Sequence, residues 1–339
     1  MIINLDIETR SAADLKLTGG HRYAQDPSTK ILCYAYKIDD APAEVVIGER
    51  IDGYLLDCIY NGATIRGWNV AGFDVPVWNN IMPVTIKPEQ VDDTMERAMA
   101  AGIPAGLDKA AQFMGLKLRK DLDGHRLMMK LCKAENPEPT DAELNVLAEY
   151  CIRDVEVEAK LASLIPPLPD FEESVRRLSH KINDTGFMVD VDLARACVEF
   201  AEIERQELSA RLQEVTGGAV DRHTQRDRIL NWLKANGLPD LANLQKQTLE
   251  DLLNEDHIPV TAREVIDIRL SGAKASTAKF AAAVHMAGDD HRVRGTFRYF
   301  GAAATGRWSG TGIQPHNLPR DTAADPYGLL DKIRNRQVP

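Results

Sequence analysis

Residues 1–11, MIINLDIETRS, open the chain with a stretch in which apolar and polar side chains alternate. Successive side chains of a β-strand point to opposite faces of the sheet, so alternation of this kind predicts a half-buried strand over 2–8. Isoleucine and leucine occupy one face. Asp6 and Glu8 share the other face, roughly 7 Å apart at two residue rises. The strand therefore presents two carboxylates together.

The pattern beyond this strand predicts an α/β fold. Further strand patterns cover 31–38, 43–47 and 63–68. Helical periodicity then covers 92–101, 107–115 and, behind a capping box, 141–165. Early strands followed by helices predict a mixed sheet with flanking helices.

A chain of 339 residues is longer than one domain usually is, so we expect two domains. Three prolines within 166–169 end the last helix of the first half. We therefore predict one domain over 1–167 and a second over 168–339. The second is expected to be mostly helical, beginning with a long amphipathic segment over 191–215.

Composition predicts a cytoplasmic protein. No apolar run approaches the roughly 18 residues of a membrane span, and no secretory signal pattern opens the chain. The five cysteines are scattered and fit reduced thiols. Net charge is −10, but 263–320 holds nine basic and four acidic residues, so this segment is able to contact phosphates. An uneven solvated surface explains that charge pattern equally well.

Two later segments supply further acids. Asp74 ends the stretch GWNVAGFD (67–74), and Asp154 ends EYCIRD (149–154). Tyr150 lies four residues before Asp154, so the two share a helix face. The D-x-E pattern alone is weak, since it occurs four times in the chain. The order of the three segments is far less frequent by chance.

Carboxylate oxygens are the ligands that Mg²⁺ and Mn²⁺ prefer. Four acids on three segments therefore predict a site for two Mg²⁺ ions, with Mn²⁺ as a substitute. Two ions a few ångströms apart activate a water and stabilise the leaving oxygen when a phosphodiester is cleaved.

The three segments together resemble the motifs of DnaQ-like 3′–5′ exonucleases of the DEDDy type, which have a ribonuclease H-like fold. The resemblance implies a two-metal exonuclease in which Asp6, Glu8, Asp74 and Asp154 bind the metal ions and Tyr150 orients the attacking water. It also implies that further residues line the path of the terminal nucleotides, namely Asn69 and Phe73. The segment VDDTMERA (91–98) resembles the linker of these domains, where we expect Asp93 only to cap a helix.

The second half resembles the thumb and the start of the palm of phage-type family A DNA polymerases. SGAKASTAKF (271–280) resembles the thumb tip, and RYFGAAATGRWSGTGIQPHNLPR (298–320) resembles the T-G-R…N-L-P element before the palm. Charged and hydroxyl side chains suit phosphate contacts without sequence readout. The nucleic-acid contacts so implied are Lys274, Ser276, Thr277, Lys279, Arg307, Gln314 and Asn317. Each segment alone also fits an ordinary surface helix or loop.

These patterns lead us to expect a proofreading exonuclease in DNA replication, from a bacterial or phage-infected cell. Its partners are then single-stranded DNA 3′ ends and primer–template duplex. Palm and fingers motifs are absent from the sequence, so we expect no primer extension by this chain alone. A truncated product, a frameshifted product and half of a split polymerase with a second chain all stay open. Two alternatives remain: a non-catalytic DNA-binding half of a polymerase, and a stand-alone exoribonuclease.

Overall fold

The computed structural model describes residues 1–117, 121–255, 257–272, 277–318 and 324–337, without the Leu122 side chain. Two compact units divide the chain. The first comprises Met1–Val189 and His285–Asn317, and the second comprises Asp190–Val284 with the described part of Leu318–Pro339. The predicted boundary at 167/168 thus differs from the division at 189/190, and the chain returns to the first unit after residue 284.

The first unit is built on a mixed five-stranded sheet. Its strand order is β3-β2-β1-β4-β5, in which β1 and β2 as well as β2 and β3 are antiparallel. β1 is parallel to β4, and β4 is parallel to β5. The strands are β1 (Ile2–Arg10), β2 (Lys30–Ile38), β3 (Glu44–Ile47), β4 (Thr64–Gly67) and β5 (Val91–Asp93). This confirms the predicted mixed α/β sheet.

Helices cover the sheet on both faces. They are α1 (Leu15–Ala24), α2 (Gly53–Tyr60), α3 (Asp74–Ile81), α4 (Thr94–Ala100), α5 (Leu107–Phe113), α6 (Leu122–Leu131), α7 (Asp141–Leu164) and α8 (Asp170–Thr185). Helix α7 begins at the predicted capping box of Thr140 and Glu143. Residues 92 and 93, which the periodicity assigned to a helix, instead end β5, and the helix itself begins at Thr94.

The register of β1 decides which face carries its acids. Ile3, Leu5 and Ile7 are buried in one apolar cluster, together with Trp78 of α3. The polar side chains of β1 lie on the opposite face. There the strand pairs Asp6 with Ala35 and Glu8 with Cys33 of β2. Directly paired residues point to the same face, and Ala35 and Cys33 pack against α7. The two acids are therefore on the face covered by α7.

Helix α8 belongs with the first unit because buried polar contacts attach it there. Arg176 is 1% exposed and donates to the Val91 carbonyl (3.0 Å) and to Glu173. His180 lies 2.7 Å from Glu96 of α4. Short strands complete the unit: β6 (Phe187–Met188) pairs with β7 (Arg292–Val293), and β8 (Phe297–Ala302) pairs with β9 (Arg307–Gly310). These long-range contacts explain why the proline run does not mark the boundary between the units.

The second unit is helical, as predicted. Its core is an apolar cluster that includes Leu212, Ile229 and Val265. Helix α9 (Val191–Thr216) is capped by Asp190 and ends at Gly217 in the left-handed conformation. The remaining helices are α10 (Arg226–Ala235), α11 (Lys246–Leu253), α12 (Val260–Gly272), α13 (Ala278–Met286), which runs into the first unit, and α14 (Pro326–Arg334). Among the helices described, none is long and apolar enough to cross a bilayer.

Candidate active site

The site is assembled from β1, the start of α3 and the middle of α7. Asp6 and Glu8 are half-buried on the face of β1 that α7 covers. The Cys151 thiol of α7 lies 3.3 Å from Asp6 Oδ2, so the strand and the helix meet at the first acid. The first and third motif segments are therefore in contact.

Asp74 joins the second segment to the first. It is buried at the first turn of α3, and its Oδ1 accepts a hydrogen bond of 2.9 Å from the amide of Ile7. Ile7 is the residue between Asp6 and Glu8. Burial raises the pKa of Asp74 well above its ordinary value, and the charge of Asp6 raises it further. The two carboxylates are thus close enough to repel each other.

Tyr150 and Asp154 share the buried face of α7, as their spacing predicted. The pKa of Tyr150 is raised, first by burial and then by the charges of Asp154, Glu8 and Asp6. The Tyr150 hydroxyl therefore feels the charges of acids from both α7 and β1. Contacts thus connect the segments that carry the five predicted catalytic side chains: β1 meets α7 at Cys151, and β1 meets α3 through the Ile7 amide.

The chemistry of these side chains fits divalent cations. All four acids offer only oxygen donors, and the charge among them is poorly balanced, since acids raise the pKa of Asp74 and Tyr150. A cation would lower that repulsion. As the side chains stand, however, the described part of the chain contains no group of three or more His, Cys, Asp or Glu that could hold a metal ion. The donors therefore fit in type, while their present geometry is not that of a closed ligand set.

The predicted nucleotide path lies on the turn between β4 and α3. Asn69 has a left-handed backbone (φ 67°), and its carbonyl accepts from the amides of Gly72 and Phe73. The Phe73 ring packs against Tyr23 of α1, with 5.8 Å between ring centroids. Both residues are half-buried and adjoin Asp74 in the chain. They are placed beside the acids, as expected for residues that line an approach to them.

The predicted DNA contacts of the second half fall into two groups. Arg307 begins β9, and Asn317 donates to Gln314 Oε1 (3.2 Å) in the turn that follows; all three belong to the first unit. Thr277 and Lys279 belong to the second unit and are half-buried. The two remaining predicted contacts lie outside the described residues, namely Lys274 and Ser276.

No family model matches the chain, whereas a curated protein and solved structures do. The chain is 29% identical over 350 residues to a protein of Bacillus phage SP02 named DNA polymerase. The alignment covers 98% of this chain and 53% of the phage protein. The chain is related to DNA polymerases. It spans about half the length of this phage relative.

The fold of the chain also resembles a solved polymerase structure. That structure is the POL domain of Pol1 from M. smegmatis in complex with DNA primer-template and dNTP. The TM-score is 0.58 at 13% sequence identity, and the match covers 93% of this chain and 53% of the other. At this identity the similarity is one of fold.

Three buried residues of this chain have polar contacts that were not predicted from the sequence. Asp93 accepts four backbone hydrogen bonds, two of them from the loop before α3. Thr94 donates to Glu158 of α7. Burial raises the pKa of Asp93 to about 7 and that of Glu158 to about 8. The position of Glu158 four residues after Asp154 was the one available signal, since it extends the buried helix face by a turn.

Proposed function

We propose that the chain is a magnesium-dependent 3′–5′ exonuclease on DNA that proofreads in replication as part of a family A DNA polymerase. One observation carries this: direct contacts join the three acid-bearing segments, since Asp74 accepts from the Ile7 amide between Asp6 and Glu8, and the Cys151 thiol of α7 lies 3.3 Å from Asp6 Oδ2. Acids distributed in this way are costly for stability, which favours a functional reason for them. The ribonuclease H-like character of the sheet and the proofreading role belong to the same proposal.

Divalent cations would be held by the four acids, which are Asp6, Glu8, Asp74 and Asp154. Bound there, they would supply an activated water and stabilise the leaving oxygen of the phosphodiester. Mn²⁺ offers similar oxygen chemistry and should replace Mg²⁺.

The protein's own groups prepare the reaction. A tyrosine hydroxyl is protonated at neutral pH, so Tyr150 is available to donate a hydrogen bond to the attacking water. Asn69 and Phe73 would contact the terminal nucleotides, and the aromatic ring offers a face for a base. The Ile7 amide holds Asp74 in orientation through its hydrogen bond.

The similarity to a solved structure also supports the proposal of DNA binding. The solved structural relative is described in complex with a DNA primer-template. We assign the equivalent role here to two groups of side chains. In the first unit these are Arg307, Gln314 and Asn317, and in the second Lys274, Ser276, Thr277 and Lys279. Such contacts add phosphate affinity without base readout.

The test is a matched pair of double variants. D6N/E8Q neutralises the first D-x-E pair while keeping its shape. D141N/E143Q changes another D-x-E pair at the start of α7, where Gln preserves the capping box. With Mg²⁺ and an oligonucleotide labelled at its 5′ end, the parent and D141N/E143Q should produce a ladder that shortens from the 3′ end. D6N/E8Q should leave the oligonucleotide at its starting length.

The outcomes separate the alternatives. Equal degradation by D6N/E8Q and the parent would refute the assignment. A parent that binds the oligonucleotide but never shortens it would favour the non-catalytic DNA-binding half. Much faster degradation of a matched RNA oligomer would favour the exoribonuclease. For proofreading, a mismatched primer end should be removed faster than a paired one, since unpairing costs a few kcal/mol.

A further inference from the structure

Asp93 connects two elements through a single buried carboxylate. It is 1% exposed and lies between β5 and α4. Its Oδ1 accepts from the amides of Met95 (3.0 Å) and Glu96 (3.2 Å) and so caps α4. The same oxygen accepts from the amide of Asn69 (3.2 Å), and Oδ2 accepts from the amide of Ala71 (3.1 Å).

The hydrogen bonds that Asp93 accepts from the Asn69 and Ala71 amides stabilise a loop with an unfavourable backbone conformation. Asn69 is a non-glycine residue in the left-handed region, a conformation that costs free energy unless its surroundings impose it. The hydrogen bonds from Asn69 and Ala71 to Asp93 stabilise that turn from the β5 side. The turn leads after three more residues to Asp74, whose Oδ1 is bonded to Ile7 of β1. The loop is therefore attached at both ends to neighbouring strands.

Thr94, the next residue, extends the connection to α7. Its hydroxyl donates to Glu158 Oε1, and both side chains are buried. Glu158 lies one helical turn beyond Asp154, so this bond fixes the position of α7 along its axis close to the third acid segment. Neighbouring Asp92 adds ion pairs to Arg66 (2.8 Å) and Arg97 (3.2 Å), which hold the segment itself in place.

We propose that Asp93 and Thr94 are positioning residues, which hold the Asn69–Asp74 loop and helix α7 in register around the acidic site. This rests on the proposed function only for its activity readout. The residues touch neither the acids nor the scissile bond, and they act through the loop amides and Glu158.

Asp93→Asn tests the loop arm while sparing the helix cap. Asn is as good an N-cap as Asp, so its oxygen keeps the place of Oδ1. Its amide group then replaces Oδ2 and turns a donor toward the Ala71 N–H, which breaks that bond. Asp52→Asn is the matched control, since Asp52 caps α2 through the Leu55 amide (2.9 Å) and belongs to a different helix terminus from the one that Asp93 caps.

Two readouts distinguish positioning from general support. The first is kcat and KM on single-stranded DNA with Mg²⁺. A misplacement of about 1 Å caused by a change away from the chemistry can cost about 100-fold, so we expect kcat of D93N to fall by about 10–100-fold while KM changes about twofold or less. The second is amide hydrogen exchange, which should accelerate in peptides covering 69–75 and stay unchanged in β1 and β2. D52N should match the parent in both readouts.

Thr94 is tested by a conservative pair. Thr94→Val keeps the shape and removes the hydroxyl, whereas Thr94→Ser keeps the hydroxyl. We expect a kcat loss in T94V that T94S largely restores. Equal kcat in T94V and the parent would overturn the role of Thr94.

The role of Asp93 is overturned in either of two ways. One is that D93N matches the parent in kcat and in exchange at 69–75. The other is that its exchange rises equally in β1 and β2, which means general destabilisation. If the parent degrades no DNA at all, the proposed function fails instead. The exchange comparison of D93N with D52N then decides by itself whether the loop is held by Asp93.

Discussion

Replacing Glu158 with Gln should stabilise the protein at high pH and leave it almost unchanged at low pH. Glu158 is 3% exposed, and burial raises its pKa from 4.5 to about 8, against the opposing effects of the Thr94 hydroxyl and Arg66. Its Oε2 has no hydrogen-bond partner among the described residues. The protonated carboxyl of Glu158 and the carboxamide of E158Q are therefore similar in shape, and both are uncharged.

The sign and the size of the change in unfolding free energy follow from proton linkage. A carboxyl whose pKa is raised on folding contributes stability that is complete below pH 4.5 and lost as the pH rises through about 8. At 1.36 kcal/mol per pKa unit, ionising Glu158 costs the folded state up to about 3 kcal/mol at pH 7 and about 5 kcal/mol at pH 9. Gln does not titrate and avoids this cost. E158Q should therefore gain stability relative to the parent as the pH rises.

The assay is urea unfolding of the full chain in EDTA at pH 5, 7 and 9, with E149Q as the control on an exposed position of the same helix. The difference between E158Q and the parent should grow across this series, while that for E149Q stays within about 0.5 kcal/mol. Because Asp74 titrates in both proteins, its contribution cancels. A difference that is the same at pH 5 and pH 9 would refute the argument that Glu158 is desolvated.

Three further predictions address the surroundings of the site. A Cβ at Gly20 would lie 2.0 Å from the Gly72 carbonyl oxygen, so G20A should cost about 1–3 kcal/mol in urea unfolding and slow the nuclease, whereas G53A, with open space around it, should do neither. R176M removes the buried guanidinium that lies beside Glu96 (3.6 Å) and Glu173 (2.6 Å) and should cost about 3–5 kcal/mol, against less than about 1 kcal/mol for the exposed R177M; equal losses would contradict this. Mg²⁺ at ten times its Kd should stabilise the parent by about 1.4 kcal/mol in thermal unfolding and leave D6N/E8Q unchanged, and an equal gain in both would exclude these acids as its ligands.

The parts of the fold that follow a local period were predictable. The alternation in β1 placed Asp6 and Glu8 on one face, and the capping box placed the start of α7. β5 was missed because it has three residues, two of them acidic, and its strand character comes from pairing with β4. The attachment of α8 to the first unit depends on Arg176 reaching the Val91 carbonyl, 85 residues away in the chain. No local pattern contains such a contact.

The predicted catalytic side chains also follow from local patterns in the sequence, whereas the residues that position them do not. Asp6, Glu8, Tyr150 and Asp154 are recognisable because spacing of two on a strand or four on a helix puts side chains on one face. Asp93 looked like an ordinary helix cap, since capping explains its position fully. Its second arm is visible only in three dimensions, where the Asn69 and Ala71 amides reach the same carboxylate.

An acidic site built from three segments has a structural problem of its own, because the charges that bind a cation also push the segments apart. Burial and the charge of Asp6 both disfavour ionised Asp74 in the absence of a cation. Something neutral in the chain must therefore hold the segments together, and backbone amides serve this purpose: Ile7 for Asp74, and Asn69 and Ala71 for Asp93. These bonds come from uncharged groups. If the proposed function holds, they would keep the loop and the strand in register as ions bind and leave.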